Sequence, residues 1–453
     1  MVDSIFKDTF FVGGPYVPGC FTFCHLLGDT PHYLLCNGIT YPLEPSVYNA
    51  LREVVTFAHL GLTGHYRQIP YAIRRGPDSI KYTGTFPFIP LNHPTVSFGF
   101  LSCNDNPACA TIPGNTYFDG FRTGLFERLR AEAHDVVIHL GDNVYLDSVW
   151  DQFRTGAIDG IIAKRLARKY YIRSFGDAEQ GACMRQGSQM QVIDDHDFMD
   201  GYGTPGYLHR RDIVKFNQYA RLLRAVHDEF LQKPTSPSID IGAYRVMLVD
   251  TRDAFQRTGQ RFPPDVTAAL QVALASPPQD RKFIVCLPQP LVHLDWYHAY
   301  IQGLFFSDGV DESEHPVNRD GARVFTRLLT AASETHTVFV ASGDVHWAYI
   351  QDHGNGAMFT EMVTSGITRR SRSGECFIAR AAMWVQRNFH FRRCTTISRN
   401  RRAMVLDHSF GNLRDDRFSI VTTTPRSGRW GAGGNLQPAR GTSRHGAPTS
   451  GSR

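Results

Sequence analysis

Three short strings of the sequence combine carboxylates with imidazole or phenol in a way that suits metal-assisted chemistry. Gly141-Asp142-Asn143-Val144-Tyr145-Leu146-Asp147 comes soon after the β-branched run Val136-Val137-Ile138. Asp194-Asp195-His196-Asp197 follows Gln191-Val192-Ile193, and Ser342-Gly343-Asp344-Val345-His346 follows Val338-Phe339-Val340-Ala341. Such runs read as short buried strands. Each string therefore sets acids at the C-terminal end of a strand, where open α/β sheets place their ligands. The expectation is a metal site for phosphoester chemistry on one edge of one sheet.

The roles follow from the side chains. Asp142, exposed at a strand terminus, can offer both oxygens and bridge two ions, and Tyr145 lies three residues on, within reach of the same point. Asp147 is either a further ligand or a cap for the next helix. Of Asp195 and His196, one can bind metal while the other meets substrate. Asp344 and His346 are two residues apart, on one side of an extended segment. Cys103, after Val96-Ser97-Phe98-Gly99-Phe100-Leu101-Ser102, adds a soft thiolate at a fourth strand end. Asp194, Asp197 and Arg252 complete the candidates. Thiolate, phenolate and imidazole favour a transition metal such as iron at one position. Carboxylates alone suit calcium, magnesium or manganese at a second. Two ions about 3.5–4 Å apart can stabilise the entering and leaving oxygens of a displacement at phosphorus.

Residues 1–94 are broken by turn signals at close intervals around runs such as Tyr33-Leu34-Leu35 and Val54-Val55-Thr56-Phe57, which predicts a small β-sandwich-like unit. Cys20, Cys24, His25, His32 and Cys36 match no familiar zinc spacing and read as core thiols and scattered histidines. From residue 95 strands alternate with helices, the pattern of a layered α/β domain running to 424. Helices are predicted over Phe118–Ala133, Asp151–Arg173, Phe216–Leu231 and Gly321–Ala332, with strands at Tyr244–Asp250 and Lys282–Leu287. A helix over Cys376–Phe391 and a last strand at Phe418–Thr424 follow; residues 425–453 hold little to bury and read as disordered.

The 453 residues are 42% hydrophobic and 20% charged, which excludes a broadly disordered chain. Without an uncharged apolar stretch of about 18 residues a spanning helix is not expected. The first residues, MVDSIFKDTFF, lack the basic start and apolar core of a signal peptide. With nine cysteines in no framework spacing, the expectation is a reducing, cytoplasmic setting. The net charge of +5 hides an asymmetry. Residues 369–453 hold 17 Lys+Arg and 4 Asp+Glu, leaving 31 and 39 before them. The acidic part carries the candidate site. The basic segment 369–402, with Arg369-Arg370-Ser371-Arg372, Trp384 and Phe389, motivates an alternative: a catalytically weak scaffold binding anionic lipid or nucleic acid.

Five strings together resemble the PhoD-like alkaline phosphatase/phosphodiesterase family of the calcineurin-like metallophosphoesterases. They are Phe100-Leu101-Ser102-Cys103, His139-Leu140-Gly141-Asp142-Asn143-Val144-Tyr145, Asp194-Asp195-His196-Asp197, Val249-Asp250-Thr251-Arg252 and Ser342-Gly343-Asp344-Val345-His346, in the family's order. The resemblance implies a four-layer αββα sandwich. It also implies ligands at Cys103, Asp142, Tyr145, Asp195, Asp344 and His346. His196 would bind the phosphoryl oxygen or protonate the leaving group. The implied cofactors are Fe(III) with calcium, with zinc, manganese or magnesium as alternatives, and the implied reaction is attack of a metal-bound hydroxide on a phosphomonoester or phosphodiester. Where the family often has an acid after the tyrosine, Leu146 stands here and Asp147 comes one later. Asp250 and Arg252 are expected to form a structural ion pair.

Overall fold

The computed structural model describes residues 10–17, 20–26, 32–36, 38–43, 50–56, 67–76, 79–90, 93, 96–118, 120, 125–202, 212–231, 238–275, 281–291, 316–344, 349–353, 359–364, 367–368 and 402–405. Seven strands come first: β1 (Phe10–Val17), β2 (Cys20–Leu26), β3 (His32–Cys36), β4 (Ile39–Leu43), β5 (Ala50–Thr56), β6 (Arg67–Arg75) and β7 (Ser79–Phe88). They pair antiparallel in two sheets, β1-β2-β5 and β4-β3-β6-β7. Cys36 is a buried free thiol in the core.

The second part of the chain is organised around β9 (Val136–Leu140), whose five residues are all buried. It lies between β8 (Phe98–Leu101) and β10 (Ser188–Val192), parallel to both. The β10 sequence is polar for a wholly buried strand, which hid its start from hydropathy. The Gln189 amide oxygen meets His139 Nε2 at 3.0 Å and its amide nitrogen donates to Gln186 O at 2.7 Å. Those bonds offset the burial of the amide.

A second sheet has the order β11-β12-β13-β14-β16-β15-β17. Its strands are β11 (Ser238–Ile241), β12 (Tyr244–Leu248), β13 (Lys282–Leu287), β14 (Val338–Ser342), β15 (Tyr349–His353), β16 (Phe359–Val363) and β17 (Arg402–Val405). β12, β13, β14 and β16 run parallel, and β11, β15 and β17 antiparallel. Phe98, Ile138, Met190 and Val192 of the first sheet share one buried cluster with Ile239, Val246, Ile284 and Met362 of the second. Leu34, Ile69 and Ile73 of the N-terminal strands join it.

Helices cover both outer faces. α1 (Leu125–Glu132), α2 (Asp147–Thr155), α3 (Gly160–Phe175), α4 (Ala178–Met184) and α5 (Ile213–Phe230) lie with the first sheet. Leu101 and Val137 there meet Phe126, Leu129 and Cys183. α6 (Thr251–Thr258), α7 (Pro264–Ala275) and α8 (Pro316–Ser333) go with the second sheet, where Leu270, Phe325 and Leu329 pack with Val285 and Val340. The result is a four-layer αββα sandwich with β-rich N-terminal strands, as the sequence implied.

Three local expectations are corrected. Asp151–Arg173 is two helices: Gly156, at φ +79°, closes α2, and the Asp159 side chain accepts from Ile162 N at 2.8 Å to start α3. Phe118–Ala133 narrows to α1: residues 118 and 120 are not helical, Ala133 leaves the helix at φ +51°, and 119 and 121–124 lie outside the described residues. The strand from Tyr244 ends at Leu248, before Asp250. The helix over Cys376–Phe391, the strand at Phe418–Thr424 and the disordered tail 425–453 all lie outside the described residues. So does the basic segment 369–402 apart from Arg402. No helix among the described residues is long and apolar enough to cross a membrane.

Candidate metal centre

The chemistry-bearing strings sit at the C-terminal ends of strands from both sheets, not along one sheet edge. β8, β9 and β10 deliver Cys103, Asp142 and Asp194–Asp195 from the first sheet. From the second sheet, β14 delivers Asp344, and the turn from β12 into α6 delivers Arg252. Three of these residues have left-handed backbone: Cys103 at φ +52°, Asp142 at φ +51° and Asp344 at φ +69°. For a residue with a Cβ this conformation costs about 1–2 kcal/mol, and such strain gathers at functional sites. It also removes the premise that Asp344 and His346 alternate along an extended segment. His346 itself lies outside the described residues.

Ligand atoms of Asp142, Asp194, Asp195 and Asp344 lie within 4.8 Å of one another, and so do those of Asp142, Asp195 and His196. Asp142, Asp194, Asp195 and His196 are buried; Asp344 is half-buried. Arg252, also buried, binds Asp194 Oδ1 through Nε. Its Nη2 is 3.4 Å from Asp195 Oδ1 and 4.0 Å from Asp344 Oδ1. Asp250, the partner expected for Arg252, caps α6 by accepting from Asp253 N at 2.9 Å.

One guanidinium cannot balance four carboxylates. Burial pushes Asp142 well above the usual carboxylate range; His196 pulls it back, while Asp195 and Asp344 push it further up. Asp194 is raised in the same way by burial, against the pull of Arg252. Burial also acts to raise Asp195, but Arg252 and His196 outweigh it and hold that carboxyl low. Asp142 Oδ1, Asp194 Oδ2 and Asp195 Oδ1 are buried without a hydrogen-bond partner. Orphaned, mutually repelling oxygens of this kind are what a hard cation requires, so the cluster fits metal ions.

The remaining candidates surround the cluster. Tyr145 Oη donates to Asp142 Oδ2 at 3.0 Å, and its ring stacks on His196 at 4.2 Å. Cys103 Sγ lies 3.3 Å from Asp344 O and 3.5 Å from Ser102 Oγ, outside the two close-packed groups. Asp147 does not cap α2, since Leu146 occupies that position. Both its oxygens lie 3.1 Å from His196 Nδ1, and Oδ1 also accepts from Asp200 N at 2.7 Å. Asp197 turns away from the cluster: it accepts from Asn143 Nδ2, Val144 N and Asp194 N, and burial raises it to about 7.

Gly141 shows how tightly the β9 and β10 ends are pressed together. At φ +97°, a Cβ there would stand 2.4 Å from Asp194 Cβ. Gly141→Ala is therefore expected to lower stability by roughly 2–4 kcal/mol, from left-handed strain and overpacking together. Urea unfolding checks this; an unchanged midpoint would show that the strand ends can separate.

No family profile matches the sequence, and no curated protein matches it. Solved structures do. The structure of PhoD aligns at a TM-score of 0.59 with 15% identity, over 79% of this chain and 77% of that one. This chain has the PhoD fold. A purple acid phosphatase, PPD1, from yellow lupin (Lupinus luteus) seeds aligns at a TM-score of 0.48 and 13% identity, over 80% of this chain and 64% of that one. A dimetal phosphatase from Danio rerio aligns at 0.31 and 13%, over 61% and 89%. At those lower scores the latter two carry no weight for the fold.

Within the PhoD fold, the polar bracing of the strand ends went unseen in the sequence. Asn104 N donates to Asp142 O at 2.8 Å, joining the ends of β8 and β9. The Asn104 amide donates to Asn143 O, Ser174 Oγ and Gln180 Oε1 beneath them. Its adjacency to Cys103, like that of Asn143 to Asp142, was the available signal. Glu361 gave none. Buried on β16, it accepts from Leu291 N at 2.6 Å, Ser342 Oγ at 2.9 Å and His353 Nε2 at 2.9 Å, bracing the β14 end that leads to Asp344.

Burial acts to raise the Glu361 carboxyl, but His353 and the other donors outweigh it and hold it below its ordinary 4.5. A depressed acid stabilises the fold fully above that ordinary value, and the contribution is lost as pH falls below it. Glu361→Gln is expected to flatten the loss of stability below pH 4.5. Glu361→Ala, which strands three donors, should cost about 3–5 kcal/mol at neutral pH. Unfolding curves across pH check both, and an unaltered acid limb in the glutamine variant would refute the assignment.

Proposed function

We propose that the chain is a metal-dependent phosphoester hydrolase acting on phosphomonoesters or phosphodiesters. The observation that carries this is the convergence of Asp142, Asp194, Asp195 and Asp344 beside an imidazole already held by another carboxylate. The fold shared with the structure of PhoD supports the same class. Asp142, Asp195 and Asp344 would hold metal, with Tyr145, Cys103 and His346 as further donors. A phenolate and a thiolate beside carboxylates favour iron paired with calcium, over zinc, manganese or magnesium. The chemistry such cations supply when bound is an acidified water and compensation of charge on the phosphoryl oxygens.

The protein's own groups do the rest. Asp147 takes His196 Nδ1, which leaves Nε2 to face substrate. Burial acts against a charged imidazole, but Asp147, Asp195 and Asp142 outweigh it and hold His196 well above its ordinary range. The Asp147 carboxylate against Nδ1 supports a proton on the imidazole, which Nε2 can give to the leaving oxygen. The Tyr145 ring stacks on the imidazole and limits its movement.

Purified protein should hydrolyse a chromogenic phosphoester, lose activity on chelation and regain it when metal returns. Inactivity at full metal occupancy would overturn the reading.

A further inference from the structure

The turn that follows Asp195-His196-Asp197 reaches back to two carboxylates of the site. Asp200 N donates to Asp147 Oδ1 at 2.7 Å, and Gly201 N donates to Asp195 Oδ2 at 2.8 Å. Consecutive amides thus orient the carboxylate that holds His196 and one of the carboxylates of the cluster. They can do so only while the turn itself is held. Gly201 supplies its left-handed backbone, at φ +70°. Tyr202, the next residue, is wholly buried and stacks on Phe198 with ring centroids 3.7 Å apart. Its Oη donates to Gln256 Oε1 at 2.5 Å, and Arg224 Nη2 donates to the same oxygen at 2.8 Å.

Gln256 lies four residues after Arg252 on α6, on the same face of that helix. Arg252 Nη2 stands 3.4 Å from Asp195 Oδ1. Gln256 acts on Oδ2 through Tyr202 and the Gly201 amide. Both oxygens of a carboxylate at the end of a first-sheet strand are therefore set from one helix of the second sheet's layer. We propose that Tyr202 is a positioning residue for the metal centre: its hydroxyl, gripped by Gln256, locks the turn that aims Asp195 at the cation. This rests on the metal-site reading above and adds to it a side chain that touches neither metal nor substrate. A carboxylate free to swing loses that freedom when a cation binds, whereas one held beforehand has already lost it. A hydroxyl that served the fold alone would alter the melting temperature and leave the metal affinity of the folded protein as it was.

The test titrates Mn²⁺ into full-length protein stripped of metal, followed by calorimetry, with melting curves in chelator alongside. Tyr202→Phe keeps the ring and removes only the hydroxyl. It should weaken Mn²⁺ binding by about tenfold, the lower end of what partners behind the metal ligands contribute. Gln256→Leu should weaken it at least as much, because Arg224 loses the same acceptor. In that background Tyr202→Phe should add nothing, since its own acceptor is already gone. Gln256→Glu keeps an acceptor for both donors and should bind Mn²⁺ at least as tightly as the wild type. Unchanged affinity in Tyr202→Phe, with or without a lower melting temperature, overturns the proposal and leaves the metal reading standing. A further loss when Tyr202→Phe is added to Gln256→Leu does the same. Wild-type protein that takes up no Mn²⁺ overturns the metal reading and this inference with it.

Discussion

Asp142→Asn should lower turnover by at least about a thousandfold and remove bound metal, while making the metal-free protein more stable. The two halves of this result have one cause. Asp142 is wholly buried, keeps an unpartnered oxygen and faces Asp194, Asp195 and Asp344 at close range. With cations present its charge is what binds them; without cations that charge is a liability in a dry pocket. The amide keeps the shape, and Tyr145 Oη can still donate to its carbonyl oxygen as it does to Asp142 Oδ2. Only the charge is lost. Loss of charge compensation at the reacting phosphoryl group accounts for the drop in rate. In chelator the variant should melt about 1–2 °C higher than the parent, the shift that roughly 1 kcal/mol gives at about 2.1 cal/mol/K of unfolding entropy per residue. Metal per chain, turnover and a melting curve in chelator are the three measurements. A variant that keeps its metal and its activity would remove Asp142 from the centre. One that melts lower in chelator would mean the cluster is already neutral without cations.

The local signals in the sequence were strong at the strand ends and weak between them. Val136–Leu140, Lys282–Leu287 and Val338–Ser342 are apolar enough to read as buried strands; Asp142 and Asp344 mark where the first and third stop, and Pro288 marks the second. Periodicity could not reveal that β9 and β14 belong to different sheets. That assignment depends on which long-range pairs form, and the two sheets meet through the shared core around Ile138 and Ile284. Only the order of the five strings, through their resemblance to PhoD-like proteins, pointed to two sheets. Asp147 shows the same limit at the level of one residue. Its position one place late in the motif made it look like a dubious ligand, whereas its contact is to His196, 49 residues away. Arg252 likewise has its partners 57 and 58 residues upstream, at Asp195 and Asp194, where no spacing rule reaches. Glu361 and Ser148 act through hydrogen bonds to residues outside their own elements, so nothing in their own neighbourhoods set them apart.

Replacing His196 by glutamine should lower kcat by about 10²–10⁴-fold on esters with poor, alkyl leaving groups, and far less on p-nitrophenyl esters. The difference is diagnostic of proton donation. A leaving oxygen that is already a weak base gains little from a nearby proton, whereas an alkoxide cannot leave without one. If His196 only held the phosphoryl group, both kinds of ester would suffer equally. The bond from Asp147 adds a graded second step. Asp147→Asn keeps a partner for His196 Nδ1 and for Asp200 N but removes the charge that stabilises the imidazolium. Such a supporting contact is worth about 10–100-fold. Its loss should show the same leaving-group dependence as the His196 variant, and the double variant should be little worse than His196→Gln alone, because Asp147 acts through the imidazole. Additive losses in the double variant would separate the two residues. Equal losses on alkyl and p-nitrophenyl esters would take proton donation away from His196 and leave it the role of a binding group.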